Sequence, residues 1–331
     1  MTTHAEPNLD VAQLAHIELL TPELDASVDF FTRLLGMSVT ERRGDSVYLR
    51  AYEETYHHSL KLTQSNRAGL GHVAFRTRSP QALMRRAAAI EATGLGRGWI
   101  ESDAGHGRAY QFDTPAGHRW ELLWDVEYYK TTDESRSGLR NRPSKRPATG
   151  IPVRRIDHCN LTSPNVGEVR DFLCSALGFT EHEVIIVDDN PDVTVASWLA
   201  VTNLSHDVAL VPEGGPRGRF HHVCYHAGTN EALFDFADLC RENGVSIEHG
   251  PARHGIARTT FLYVMEPGGN RIELVGDLGM LIFDPAFETV KWKASELPVA
   301  AVWTGSDLPG SFWNYATPSD EDLTRLDAAV A

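Results

Sequence analysis

The chain has 331 residues, room for two domains at about 150 each, and its 42% apolar and 23% charged residues exclude disorder as the main state. No apolar run approaches the roughly 18 to 20 residues of a membrane helix, and the opening MTTHAEPNLDVAQLAHIELL has no basic start, compact apolar stretch or cleavage site, so a soluble, cytoplasmic protein is expected. Lys and Arg number 31 against 45 Asp and Glu, a net charge of −14, which speaks against nucleic acid or an anionic membrane as partner and for a small molecule.

In chain order, alternation around His16 predicts a strand that runs to Thr21-Pro22, a helix start with Pro in its first turn. Leu24, Val28, Phe31 and Leu35 then recur at helical spacing until Gly36 stops the helix. Short strands follow through VYLRAY, HSLKL and GHVAF, the last holding His72. A second helix is expected from about Gln81 to Thr93, and a closing strand carries Trp120-Glu121-Leu122. Tyr128 to Arg155 is basic and rich in Ser and Pro, and reads as a solvated linker.

The same order then repeats. His158 stands 142 positions after His16, and Ser163-Pro164, Val166, Leu173, Leu177 and Gly178 keep that offset, with Val169 completing the helical spacing. HHVCY, with His221 and His222, answers GHVAF; a helix is expected near Asn230 to Asn243; EPGGNRIELV, with Glu273, answers TPAGHRWELL. Each copy reads as a βαβββ-like module with a further helix and strands, an α+β class. The expected organisation is a first module over 1–127, a linker over 128–153, a second module over 154–277 and a tail over 278–331. The tail holds Phe283, Phe287, Trp292, Trp303, Phe312 and Trp313, and is expected to pack on the second module or a neighbouring subunit.

Cys159, Cys174, Cys224 and Cys240 form no CxxC pair and are expected to stay thiols. The 15 histidines are more informative. Two histidines and one carboxylate from three strands make a facial triad for Fe(II), with neighbouring positions open to substrate and dioxygen. His158, His222 and Glu273 have those residue types. In Arg271-Ile272-Glu273-Leu274 strand alternation sends the glutamate to one face and its apolar neighbours to the other. Any one of them alone would read as a polar residue on a strand; recurrence in both copies favours a metal centre.

The second half also carries DHCN (157–160), SHDVAL (205–210), FHHVCY (220–225), GPARHG (250–255), FLYV (261–264) and NRIELV (270–275). Together these resemble the two-module extradiol ring-cleaving dioxygenases of the vicinal oxygen chelate superfamily, the catechol 2,3-dioxygenase and homoprotocatechuate 2,3-dioxygenase branch. The resemblance runs from about Leu14 to Trp292. It implies duplicated modules of the glyoxalase/dihydroxybiphenyl dioxygenase type, with His158, His222 and Glu273 as ligands of Fe(II), Mn(II) being a possible occupant of the same set. It implies His206 as an acid on the oxygen side, His254 and Tyr263 as hydrogen-bonding partners of the substrate oxygens, Asn160 as a donor near dioxygen, and Trp198 as pocket wall. His221, beside a ligand, is expected to face the other side of its strand as a structural residue. The implied reaction is meta cleavage of catechol or an alkylcatechol with dioxygen to a 2-hydroxymuconic semialdehyde, by a homotetramer.

Two departures matter. Five residues before His254, where the homoprotocatechuate branch has an arginine that holds a carboxylate, this chain has His249, a substrate-side candidate that favours an uncharged ring. The first copy keeps His16, His72, Glu121 and even His58 opposite His206, but has Gln111 for Tyr263, Glu18 for Asn160 and no histidine matched to His254. It reads as a remnant or a weak second site. A glyoxalase-like metal-dependent isomerase, a homoprotocatechuate-type substrate and a noncatalytic binding protein are the competing readings.

Overall fold

The computed structural model describes residues 6–213 and 218–324, so the outermost ends of the expected first and last segments lie outside the described residues. The first module runs β1 (Val11–Thr21), α1 (Leu24–Asp29), β2 (Ser38–Arg43), β3 (Ser46–Arg50), β4 (Leu60–Gln64), β5 (Gly69–Thr77), α2 (Pro80–Glu91), β6 (Gly96–Ile100), β7 (Ala109–Asp113) and β8 (Arg119–Leu123). The second repeats it as β9 (Arg155–Ser163), α3 (Val166–Phe172), β10 (Thr180–Val187), β11 (Asn190–Ala200), β12 (Val208–Pro212), β13 (Phe220–His226), α4 (Glu231–Glu242), β14 (Ser246–Arg253), β15 (Thr260–Met265) and β16 (Arg271–Val275). Each module is therefore two βαβββ units, one more than the single unit with extra elements read from the sequence.

The strand order in the first sheet is β2-β3-β4-β1-β5-β8-β7-β6, and the second has the same order over β9 to β16. The antiparallel pairs β1·β5 and β9·β13 are the seams that join the two units. Alternation at the seams sorts the side chains. On β9, Cys159 and Leu161 enter the core while His158 and Asn160 face the other way into a cavity. On β16, Ile272 and Leu274 enter the core and Glu273 meets the cavity.

The helices cover the core faces and bring the modules together. In α2 the Ser79 side chain accepts from the Ala82 amide and Pro80 occupies the first turn; a cap of that kind contributes about 1 kcal/mol. One continuous apolar core spans both modules, with Phe75 on Phe179 at 5.2 Å and Phe112 on Phe172 at 6.0 Å between ring centroids. Of these the first is edge-on and the second tilted, and aromatic pairs of favourable geometry at such distances add about 0.5 to 1.5 kcal/mol beyond their buried area.

The first helix of each module starts two residues later than the Pro signal suggests, at Leu24 and Val166, and Asn165 rather than Ser163 caps the second by accepting from the Glu168 amide. Neither runs as an α-helix to its glycine. Phe30–Leu34 and Leu173–Leu177 are π-helical. A hydroxyl in each bonds back to a carbonyl four residues earlier, Thr32 to Val28 at 2.8 Å and Ser175 to Asp171 at 2.6 Å, a contact that loosens the α ladder. Gly178 then takes φ of 79°, and a Cβ there would lie 2.1 Å from the Asn8 carbonyl oxygen, so glycine is required.

The linker is less solvated than expected. Ser144 is buried against Arg50 and the Tyr52 carbonyl, and the Ile151 and Val153 amides donate to the carbonyls of Leu34 and Leu35. The tail packs on the second module: β17 (Val290–Lys293) extends the second sheet beside β10, and α5 (Leu297–Ala301) and α6 (Gly310–Asn314) follow. No helix among the described residues is long and apolar enough to cross a membrane.

Candidate metal centre and cavity

Three strands of the second sheet converge on one point. His158 comes from β9, His222 from β13 and Glu273 from β16. His158 Nε2 lies 3.0 Å and His222 Nε2 3.1 Å from Glu273 Oε2, and the two nitrogens are 3.4 Å apart. Donors bonded to one divalent ion at about 2.1 Å and at right angles are about 3.0 Å apart, so these spacings fit a shared ion. All three side chains are buried. Burial pushes the Glu273 carboxyl up, but the histidine rings around it outweigh that and hold it well below the usual carboxylate range, leaving an anionic donor.

The outer partners fix which nitrogen is left free to bind an ion. His158 Nδ1 donates to Asp157 Oδ1 at 3.0 Å, which leaves the Nε2 lone pair for metal. His221 Nε2 donates to the Phe312 carbonyl at 2.9 Å, so its Nδ1 accepts from His222 Nδ1 at 2.7 Å, and His222 Nε2 is likewise left free to bind. This corrects the expectation for His221: its ring does not turn away from its neighbour but steers it. The register shift in β13 between Phe220 and His222 breaks the alternation that would have separated adjacent side chains.

Above the donors is a cavity of about 120 Å³, lined by Asn160, Trp198, His206, His254 and Tyr263 among others. An apolar cavity of about 150 Å³ holds a benzene ring, so the space suits one aromatic ring. His206 sits with its ring 4.0 Å from that of His158 and Nδ1 2.8 Å from Ser205 Oγ. Burial and the adjacent His158 hold it well below its ordinary range. His254 Nδ1 donates to the Ala301 carbonyl, and its Nε2 accepts from the Tyr263 hydroxyl at 3.1 Å. Asn160 Oδ1 is buried without a partner among the described residues.

His249 is the exception. It does not line the cavity; its ring stacks behind Phe261 at 5.8 Å, with Phe261 in turn stacked on His254 at 3.6 Å. A register shift in β14 between His249 and Ala252 carries the chain past the cavity before His254 enters it, so the substrate-side expectation for His249 is not carried forward.

The tail was expected to pack on the second module, but its part in the cavity wall carries no sequence signal. Leu297, Ala300, Ala301, Leu308, Phe312 and Trp313 close one side of the cavity. Fully buried Arg271, two residues before Glu273, holds this segment: it pairs with both Glu248 oxygens at 2.5 and 2.9 Å and donates to the Tyr315 and Ser311 carbonyls at 2.9 and 3.2 Å. Among the described residues no Lys or Arg lines the cavity.

Residues 13–122 and 155–274 each match the Glyoxalase/Bleomycin resistance protein/Dioxygenase superfamily. A metapyrocatechase of Geobacillus stearothermophilus is 51% identical over 315 residues, covering 95% of each chain. A manganese-dependent 2,3-dihydroxybiphenyl 1,2-dioxygenase of Geobacillus genomosp. 3 is 38% identical, over 91% of this chain and 96% of that one. The structure of homoprotocatechuate 2,3-dioxygenase from Brevibacterium fuscum, in its complex with 3,4-dihydroxyphenylacetate, superposes with a TM-score of 0.82 at 28% identity, covering 94% and 93% of the two chains.

Proposed function

The chain belongs to the Glyoxalase/Bleomycin resistance protein/Dioxygenase superfamily, and from that premise we propose that its second module opens a single-ring catechol beside, not between, the hydroxyls. It is an extradiol dioxygenase of the catechol 2,3-dioxygenase kind, dependent on a metal ion and acting on a catecholic substrate with dioxygen. The observation that carries the finer reading is the placement of His158, His222 and Glu273 under an apolar, ring-sized cavity. We assign Fe(II) to that donor set, with Mn(II) as a second occupant. The assembly expected from the resemblance, a cytoplasmic homotetramer, belongs to the same proposal.

When bound, the ion supplies a centre at which spin-mismatched dioxygen and catechol exchange electron density. The side chains do the rest. His254 Nε2, whose lone pair faces the Tyr263 hydroxyl, takes the proton of one catechol hydroxyl, with Tyr263 donating to that oxygen afterwards. Burial pushes the Tyr263 hydroxyl well above its ordinary range, so it remains a donor throughout. His206, its Nδ1 held by Ser205 Oγ, presents Nε2 on the oxygen side, where it takes the proton of the other catechol hydroxyl and hands it on, returning to the neutral ring. Asn160, its Oδ1 unpartnered, has its amide directed by whatever occupies the cavity. Trp198 and the tail residues exclude water and hold the ring flat.

The apolar lining sets the substrate. A ring carboxylate would enter without a cation to meet it, and a burial penalty of several kcal/mol follows. In steady-state oxygen uptake, kcat/KM for catechol and methylcatechols is expected to exceed that for 3,4-dihydroxyphenylacetate and 2,3-dihydroxybiphenyl by at least about tenfold, the equivalent of 1.4 kcal/mol. A preference for either of the latter two would contradict the cavity reading.

A further inference from the structure

The first module keeps a second convergence of histidines, and it is fuller than the sequence suggests. His106, between β6 and β7, stands where His254 stands after β14: its Nε2 is 3.9 Å from Glu121 Oε2, as His254 Nε2 is 3.4 Å from Glu273 Oε1. The first copy therefore has a counterpart to His254 after all. His16, His106 and Glu121 each offer a donor atom within 4.8 Å of the others, all buried. His72 Nε2 lies 2.8 Å from His16 Nε2, a separation at which two ring nitrogens need a proton or a cation between them.

The protonation pattern points inward. His72 Nδ1 donates to Glu18 Oε2 at 2.8 Å and His106 Nδ1 to the Gly107 carbonyl at 2.8 Å, so both Nε2 atoms carry lone pairs. Glu121 accepts from Gln111 through Oε1 at 2.5 Å, while its Oε2, facing His106, is fully buried with no partner among the described residues. An unpartnered buried carboxylate oxygen is costly, and a divalent ion beside three imidazoles removes that cost.

What has gone is room for a substrate. Glu18 replaces Asn160 and Lys61 stands where β12 has Ala209, since both pairs occupy the same β1·β4 and β9·β12 register. Lys61 Nζ bridges Glu18 and Asp103 at 3.3 and 2.8 Å, and Tyr48 donates to Asp103 at 3.2 Å. This network fills the space that is open in the second module. The cavity left beside His16, His58 and His106 is about 10 Å³, room for one water at most by the rough 10 to 15 Å³ criterion and far too small for an aromatic ring.

We propose that the first module binds a second divalent metal ion on His16, His72, His106 and Glu121, in a closed, noncatalytic centre that clamps the β1·β5 seam. Three imidazoles and one carboxylate with no substrate access are a four-donor set of the kind that structural ions occupy, whereas a catalytic centre keeps a position open.

The test is a titration of metal-free protein with Co(II), whose visible absorption reports bound nitrogen and oxygen donors. Two equivalents are expected for the parent, and one each for Glu121→Ala, Glu121→Gln and Glu273→Ala. Reloaded with Fe(II), the two Glu121 variants are expected to keep catechol turnover within about twofold of the parent while losing thermal stability that the parent shows only in its two-ion form. If the parent binds one equivalent and Glu273→Ala removes it, the second centre does not exist, although the catalytic assignment stands. If the Glu121 variants retain two equivalents, the donor set is wrong.

Discussion

Glu273→Ala is expected to remove catechol turnover by at least about 10²-fold and to leave the second-module centre empty after Fe(II) loading. The size follows from what the carboxylate does. It is the anionic member of the proposed triad, 3.0 and 3.1 Å from the two Nε2 atoms, and the partner of His254 at 3.4 Å. Loss of a mere outer partner costs about 10- to 100-fold in metal affinity or activity, and loss of a direct donor costs more. Glu121→Ala, the corresponding change in the first module, leaves most of the activity, because Glu18, Lys61 and Asp103 occupy the volume a substrate would need there. Metal content and turnover measured on both variants decide between the modules. Activity that survives Glu273→Ala and vanishes in Glu121→Ala would place the chemistry in the wrong half.

His206→Phe is expected to keep its metal and to lose turnover by about 10² to 10⁴-fold, the usual contribution of a positioned acid or base. The ring lies over His158 at 4.0 Å between centroids, and the nearest partner of its own nitrogen is Ser205 Oγ at 2.8 Å, so it touches the centre without belonging to the donor set. Phenylalanine fills nearly the same space without a proton to give. Metal analysis and rate constants per bound ion, taken together, read the role. A variant that loses iron while keeping its rate per remaining ion would show that His206 serves the ligands and not the oxygen side.

The duplication, the strands and both long helices were legible because strand alternation and the 142-residue offset are local signals. The convergence of His158, His222 and Glu273 was legible for the same reason, since each recurs at a matched strand position. Elements that depend on distant contacts were not. The π segments, where Thr32 and Ser175 bond backward, leave no mark in the apolar spacing. His221 reads as a far-face residue until the register shift in β13 is known, and His249 as a pocket residue until the shift in β14 is known. The wall formed by Leu297 to Trp313 depends on Arg271 reaching the Ser311 and Tyr315 carbonyls 40 and 44 residues along the chain. His106 carried a usable signal, since Gly-His-Gly in the first copy answers Arg-His-Gly in the second; the insertions around it broke the fixed offset and hid the match.

The most direct measurement is oxygen uptake by anaerobically prepared, Fe(II)-loaded protein given a known amount of catechol, with the product identified in the same sample. One dioxygen consumed per catechol and a yellow 2-hydroxymuconic semialdehyde are the expected result. A colourless diacid, the product of cleavage between the hydroxyls, or catechol returned without oxygen uptake, would contradict extradiol cleavage at His158, His222 and Glu273.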